Sequence, residues 1–293
     1  MKILVLGGSG MLGHRAAALL SERHDVTCTV RAANGPAQRF APRARFATGV
    51  SVEDPSSLAS VMDRVRPDAV VNCIGVVKQK ADAHESVPSI RTNALFPHEV
   101  AAMCSAAGAR FVHLSTDCVF SGRTGCYTED DLPDATDLYG RSKLLGEVTD
   151  VSGAVTVRTS MVGWELSHPT GLLEWFASCR GSRCGGFTKA VFSGLTTSDL
   201  VDVIEGLCSR WRGLDGLWHV SASPISKFDL LTGLDAALGW GADIEPRDEP
   251  VIDRSLDSTR FRERTGWAPR PWADAVVRLA AERKIYDDFL GAG

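Results

Sequence analysis

No run of this 293-residue chain is apolar for long enough to cross a bilayer, and no basic tract offers a footprint for nucleic acid. A formal net charge of −4 adds no pull towards phosphate backbones or anionic membranes, so neither is expected as a partner. The opening Met1-Lys2-Ile3-Leu4-Val5-Leu6 runs into glycines after too few apolar residues for the core of a secretory signal, which predicts a cytoplasmic protein. Eight cysteines make a disulfide framework only in a small secreted chain. Here Cys28, Cys73, Cys104 and Cys208 lie in apolar stretches, as small core residues do, and reduced thiols are expected. Cys179 and Cys184 have no second Cys/His pair at ligand spacing beside them, so no metal centre is expected. Tandem repeats, low-complexity tracts and long linkers are missing too.

What is present is an ordinary globular composition, 44% hydrophobic and 23% charged, in a chain long enough for one large α/β unit or two domains. Apolar runs at 2–7, 25–30, 45–47, 69–74, 110–115 and 155–158 read as buried strands. Helical patterns fill the gaps at 11–21, 56–65, 88–107 and 139–149. Strands alternating with helices predict a parallel, doubly wound sheet, with ligands at the carboxyl ends of its strands. Beyond Ser160 the pattern loosens. A helix from near Thr196 is expected to return to the sheet, and 217–220 with the segments from Lys227 onward to build a smaller lobe. The expected division is a nucleotide-binding domain at 1–160, with 191–215 packing back on it, and a substrate-binding lobe from 161–190 and 216–293.

Two motifs carry chemistry. In Gly7-Gly8-Ser9-Gly10-Met11-Leu12-Gly13, the residues Gly7, Gly10 and Gly13 follow the first strand and open the first helix. A dinucleotide site needs small residues there for a tight turn, for approach of the Met11 and Leu12 backbone to a pyrophosphate, and for close helix–strand packing. At the end of the second strand a carboxylate would take the ribose 2′-hydroxyl, but the chain has Thr29-Val30-Arg31. Arg31 either pairs with a 2′-phosphate or is a solvated surface arginine. NADPH is therefore the expected cofactor, with NADH as the alternative. Asn72, Cys73 and Gly75 end the fourth strand with a slim backbone past which a cofactor can lie.

The second motif, Tyr139-Gly140-Arg141-Ser142-Lys143, puts Tyr139 and Lys143 one turn apart on one helix face. A neighbouring ammonium favours phenolate, which predicts a lowered Tyr139 pKa and a usable acid or base for a carbonyl oxygen. Thr116, at the end of the fifth strand, offers a hydroxyl to the same oxygen, and Asp117 is either an additional acid or a turn cap. Asn93 either reaches backbone or water near the site or sits satisfied in the core. Together the two motifs argue for nicotinamide-dependent chemistry on a carbonyl or alcohol.

Through Gly7-x-x-Gly10-x-x-Gly13, Asn72-Cys73-Ile74-Gly75 and Tyr139-x-x-x-Lys143, in this order, the chain resembles the extended short-chain dehydrogenase/reductase family. Ser115-Thr116-Asp117-Cys118-Val119-Phe120, Arg158-Thr159-Ser160, Asp253-Arg254-Ser255-Leu256-Asp257-Ser258 and Thr265-Gly266-Trp267-Ala268-Pro269 are similar to its dTDP-4-dehydrorhamnose reductase-like branch. The resemblance implies a Rossmann-type fold, a catalytic trio of Thr116, Tyr139 and Lys143, and a nucleotide-linked 6-deoxy-4-ketohexose as substrate. It also implies that Lys143 holds the nicotinamide ribose. Two departures point to a different sugar or nucleotide. Met161 stands where the branch often has tryptophan, with Trp164 three residues on, and the strand exit Val76-Val77-Lys78-Gln79-Lys80 is unlike the branch's loop. Val77, Lys78, Ser160 and Trp164 lie where substrate would touch. The same scaffold supports epimerases and dehydratases that retain NAD, and a non-catalytic cofactor-binding regulatory subunit; a homodimer is left open.

Overall fold

The computed structural model describes residues 1–33, 35–76, 85–167 and 171–291. Its first half alternates β1 (Lys2–Leu6), α1 (Met11–Leu20), β2 (Asp25–Val30), α2 (Pro36–Phe40), β3 (Arg45–Thr48), α3 (Pro55–Val65) and β4 (Ala69–Asn72). The next helix starts as α4 (Ser86–Ser89), widens to a π-helical turn (Ile90–Leu95) and continues as α5 (Phe96–Ala107). Then come β5 (Arg110–Leu114), a 3₁₀ turn (Asp117–Val119), α6 (Leu138–Leu145) and β6 (Ala154–Arg158). Short elements follow: β7 (Met161–Val162), α7 (Leu172–Ser178), β8 (Arg183–Phe187), β9 (Ala190–Phe192), β10 (Leu195–Thr196), α8 (Thr197–Cys208) and β11 (Gly216–His219). The chain closes with β12 (Ile225–Ser226), α9 (Lys227–Leu238), β13 (Asp243–Arg247), β14 (Ile252–Asp253), α10 (Thr259–Thr265) and α11 (Trp272–Gly291).

Seven strands form one parallel sheet in the order β11-β6-β5-β4-β1-β2-β3. Its central strands are buried on both faces, which is why they read as continuous apolar runs. One face packs on α1 and α8 through Leu12, Ala16, Leu200 and Ile204, the other on α3 and α5 through Leu58, Val61, Phe96 and Val100. This is the Rossmann-type α/β fold. Strand order reverses between β1 and β4, and a ligand crevice opens at the carboxyl ends of strands at such a switch point.

Three details differ from the sequence reading. The run at 217–220, expected in the smaller lobe, is β11 and pairs with β6 from Gly216↔Val155 to His219↔Arg158. Pairing covers the backbone donors and acceptors that the β6 edge would expose, and Trp218, Val220 and Phe261 of α10 join the sheet's core. The helix expected at 88–107 is interrupted by its π turn, and the helix expected to reach 149 stops at Leu145. Gly146 ends it in contact with that turn: a Cβ there would stand 1.9 Å from the Asn93 carbonyl oxygen.

The remaining segments pack around their own apolar cluster, built on Trp164, Leu173, Phe176, Leu230, Leu234, Leu279 and Tyr286. Two-stranded β13-β8 and three-stranded β12-β9-β14 sheets frame this second unit. Among the described residues no helix is long and apolar enough to cross a membrane, and no His/Cys/Asp/Glu cluster could hold a metal ion. All eight cysteines are free thiols.

The Gly146 contact generates a stability prediction. Gly146→Ala overpacks the joint between α6 and the π turn and is expected to destabilise the protein by about 1–3 kcal/mol. Thermal unfolding should show a melting temperature several degrees lower; an unchanged one contradicts the close packing.

Candidate active site

The glycine turn is built by sterics. Gly7 has φ +85°, a conformation that L side chains rarely adopt, and its N–H donates to Thr29 Oγ1 at 3.2 Å. A Cβ on Gly13 would lie 2.0 Å from the Gly7 carbonyl oxygen, so only glycine lets α1 start this close to β1. Gly10 is the N-cap in extended conformation, and no side chain caps the helix. Ser9 and Gly10 are exposed, and a Cβ on Gly10 would meet nothing nearer than the Gly7 oxygen at 3.5 Å. This open, uncapped helix start fits a nucleotide pyrophosphate. Leu12 is in the core, so only its backbone is available to a ligand, whereas Met11 is partly exposed. Arg31 is exposed immediately after β2.

Asn72 and Cys73 shape the neighbouring strand exit. Asn72 Oδ1 accepts from Ile74 N–H at 3.0 Å, and its Nδ2 donates to His113 Nδ1 at 3.2 Å across the β4–β5 pair. Burial pushes the Cys73 thiol up to about 12, so it stays a thiol. Gly75 leaves room for Asn93, whose side chain brackets the Val76 backbone: Oδ1 accepts from Val76 N–H at 2.9 Å and Nδ2 donates to its carbonyl at 3.1 Å. The same Nδ2 lies 3.2 Å from Ser142 Oγ, so Asn93 ties the strand exit to α6. Its place on a π turn is one where functional residues recur. Val77 and Lys78 lie outside the described residues.

Two strands from β1 in the sheet, about 10 Å, the end of β5 carries Thr116, Asp117 and the 3₁₀ turn. Thr116, not Asp117, caps that turn, accepting from Cys118 N–H at 3.1 Å. Its hydroxyl donates to Asp117 Oδ1 at 3.2 Å and is also hydrogen-bonded with the Tyr139 phenol. Asp117 is buried, which raises its pKa, while Cys118, Arg254, Lys227 and Thr116 pull it back down.

Tyr139 and Lys143 sit on α6, started by Asp137, whose carboxylate accepts from Gly140 N–H at 2.9 Å. The expected lowering of the Tyr139 pKa by Lys143 is not what the structure shows. Burial, then Cys118 and Asp117, push the phenol above its usual value, and only the Thr116 hydrogen bond opposes them. The reason is where the ammonium goes: Lys143 Nζ donates to the Leu114 carbonyl at 2.6 Å, under the end of β5. Burial draws Lys143 down to about 8, against the pull of Glu147 and Cys73. Burial thus keeps the phenol in its protonated form.

Ser160 is partly buried just after β6, its carbonyl accepting from Leu195 N–H at 2.9 Å. Trp164 is withdrawn from any substrate surface. It is 1% exposed in the core of the second unit, and its indole N–H donates to the Leu279 carbonyl at 2.9 Å. An aromatic three residues after Met161 was a position signal only, and packing decided its role.

Several residues around the site were given no individual role by the sequence. Glu147 and Arg158 form a buried two-bond pair, Nε–Oε1 and Nη2–Oε2 both 2.8 Å, and Ser115 Oγ donates to Glu147 Oε1 at 2.6 Å. From the second unit come Lys227 and Arg254, both within electrostatic reach of Asp117. His14 braces the helix that bears the glycine turn: its Nδ1 donates to Gly10 O at 2.8 Å, and its Nε2 is 2.7 Å from the Tyr286 hydroxyl.

The chain belongs to the family described as RmlD substrate binding domain, whose model matches residues 1–171. It is similar to a probable low-salt glycan biosynthesis reductase of Haloferax volcanii, 32% identical over 73% of each chain. It is also similar to a dTDP-4-dehydrorhamnose reductase of Mycolicibacterium smegmatis, 28% identical over 73% of this chain and 70% of the relative. A crystal structure of Bacillus anthracis dTDP-4-dehydrorhamnose reductase in complex with NADP superposes with a TM-score of 0.81. It covers 96% of this chain and 99% of that one at 20% identity, a likeness of fold.

The brace at His14 predicts acid sensitivity. Burial holds His14 neutral, its pKa lowered from 6.5 to about 4. The unfolded chain therefore binds a proton that the fold refuses: His14's contribution is full above pH 6.5 and is lost as pH falls towards 4. Each such histidine is worth about 3 kcal/mol across that window, and His219 acts in the same direction. Urea unfolding between pH 7 and 4.5 should show a shallower loss for His14→Gln than for wild type; equal slopes would contradict this role.

Proposed function

We propose that the protein is an NAD(P)H-dependent reductase of the keto group of a nucleotide-linked 6-deoxy-4-keto sugar, with NADPH favoured. One observation carries the reading: at the carboxyl end of β5 the Thr116 hydroxyl meets a Tyr139 phenol that holds its proton, with Lys143 buried beneath. The glycine turn two strands away fits the pyrophosphate of a dinucleotide. When bound, the nicotinamide supplies hydride to the keto carbon. The chain's residues manage the oxygen, where negative charge develops. Thr116 donates a hydrogen bond to it, Tyr139 delivers the proton, and the Lys143 ammonium stabilises the charge left on the phenol while holding the nicotinamide ribose. The relatives' names support the same chemistry.

Around this centre, the Rossmann-type unit serves as the cofactor domain and the second unit as the substrate lobe, with Ser160 at their joint. Free thiols throughout suit a cytoplasmic setting. The exposed apolar side chains of Val87, Ile90, Leu95 and Leu145, on helical segments that touch one another, support a homodimer.

Nicotinamide absorbance on mixing the protein with NADPH or NADH and a panel of nucleotide-linked 4-keto-6-deoxyhexoses tests the reading. Oxidation with one sugar is expected, and Tyr139→Phe should keep cofactor binding but lose on the order of 100-fold or more in kcat. Silence across the panel with cofactor bound, or wild-type turnover in Tyr139→Phe, sinks it. Cofactor choice is tested separately. If Arg31 pairs with the 2′-phosphate, Arg31→Ala should weaken NADPH binding by about 10- to 100-fold, the worth of a hydrogen bond to a charged group. NADH binding should be left alone, and equal effects on both cofactors would make Arg31 a surface residue.

A further inference from the structure

A chain of three groups holds the first turn of α1 from behind. The Gly10 carbonyl accepts twice from His14, from its backbone N–H at 3.1 Å and from ring Nδ1 at 2.8 Å. A carbonyl only accepts, so Nδ1 carries the ring proton. The buried ring is neutral, which leaves Nε2 a bare acceptor 2.7 Å from the Tyr286 hydroxyl. Tyr286 therefore donates, and the direction of the chain is fixed from phenol to imidazole to carbonyl. Tyr286 is 1% exposed and His14 0%, so solvent competes for neither bond.

Tyr286 itself has a fixed place. One turn earlier on α11, Glu282 Oε1 takes Arg15 Nη2 at 3.0 Å and the Ser198 hydroxyl at 2.5 Å. The Tyr286 ring stands 5.0 Å from the Phe40 centroid and 6.5 Å from that of Trp164, so packing locates it without help from its hydroxyl.

The grip matters because of which peptide unit it holds. A trans peptide is planar, so its C=O and N–H point in opposite directions. Turning the Gly10 carbonyl back into the helix thereby aims the Met11 N–H out of the helix start, towards an incoming pyrophosphate. Glycine leaves that unit wide rotational freedom, and no side chain caps the helix. The unit before it is held by the Gly10 N–H, which donates to the Gly7 carbonyl at 3.0 Å. Among the described residues no side chain other than His14 bonds the Gly10 carbonyl.

Resting on the dinucleotide site of the reductase reading, we propose that Tyr286 is a positioning residue for the cofactor. Its hydroxyl, acting through His14, fixes the peptide unit that presents Met11 N–H to the pyrophosphate. The last helix of the second unit thus tunes dinucleotide affinity from the far side of α1, without touching the ligand.

The test is calorimetric binding of NADPH to the intact protein, Tyr286→Phe, His14→Phe and the double variant. Both substitutions keep an aromatic ring in the cluster and remove only the polar chain. Tyr286→Phe should weaken NADPH binding by about 3- to 10-fold, the worth of one hydrogen bond. His14→Phe should lose at least as much, and the double variant no more than His14→Phe alone. A packing role would lower the melting temperature and leave affinity untouched. An unchanged Kd in Tyr286→Phe, or losses that multiply in the double variant, overturns the proposal. Nitrogen NMR of the intact protein at pH 7 checks the chain without any variant: the His14 proton should reside on Nδ1, and a proton on Nε2 instead overturns the proposal too. A protein that binds NADPH but reduces no keto sugar sinks the reductase reading, and the same titrations still decide Tyr286. One that binds no dinucleotide sinks both.

Discussion

The buried pair between Glu147 and Arg158 is the constraint on which the site rests. Each side chain is only 4% exposed, and their two parallel 2.8 Å bonds join the end of β6 to the segment after α6. The Glu147 carboxylate also takes the Ser115 hydroxyl, so it fixes the residue before Thr116, and it sustains the charge of Lys143 against burial. Arg158 lies over the Phe120 ring and reaches His219 of β11. Removing one partner of such a pair strands the other as a buried charge, at a cost of about 3–5 kcal/mol. Here the stranded charge would sit under β5, beside Ser115 and Lys143. The pair is weak evidence for net stability and stronger evidence for one specified geometry.

The electrostatics above that floor keep the Tyr139 phenol protonated. Tyr139 is surrounded by influences that keep its proton on, and the nearest ammonium is spent partly on the Leu114 carbonyl. A phenol of this kind gives up its proton when a stronger base, an alkoxide forming from a ketone, appears beside it. Around Asp117, Arg254 and Lys227 favour the charged form while burial disfavours it more strongly.

Local sterics made the first part of the site legible in the sequence. The contact between Gly13 and Gly7 requires glycine at both ends of one turn, and a helix places Tyr139 and Lys143 on one face by spacing alone. What was not legible depends on partners far along the chain. Trp164 became a core residue because Leu279, 115 residues later, takes its indole N–H. The 217–220 run joined the main sheet because β6 needed a neighbour, which no local pattern announces. The π turn at Ile90–Leu95 looks like continuous helix in sequence, since the extra residue matters only where Gly146 presses against Asn93. Lys227 carries no motif, and its electrostatic reach to Asp117 comes from a different unit.

These distant contacts couple the two halves of the molecule at the cofactor side as well. His14 grips the Gly10 carbonyl at the start of α1 and the Tyr286 hydroxyl on α11, one helix turn from a buried Arg15–Glu282 ion pair of 3.0 Å. Ser198 of α8 completes that joint, accepting from Arg15 Nε at 2.8 Å and donating to Glu282 Oε1 at 2.5 Å. The helix start that fits a pyrophosphate is therefore braced by the same unit that holds Lys227 within electrostatic reach of Asp117. A displacement of that unit would disturb both ends of the crevice together. One packing arrangement thus joins the helix start at Gly10 to the unit that carries Tyr286 and Lys227.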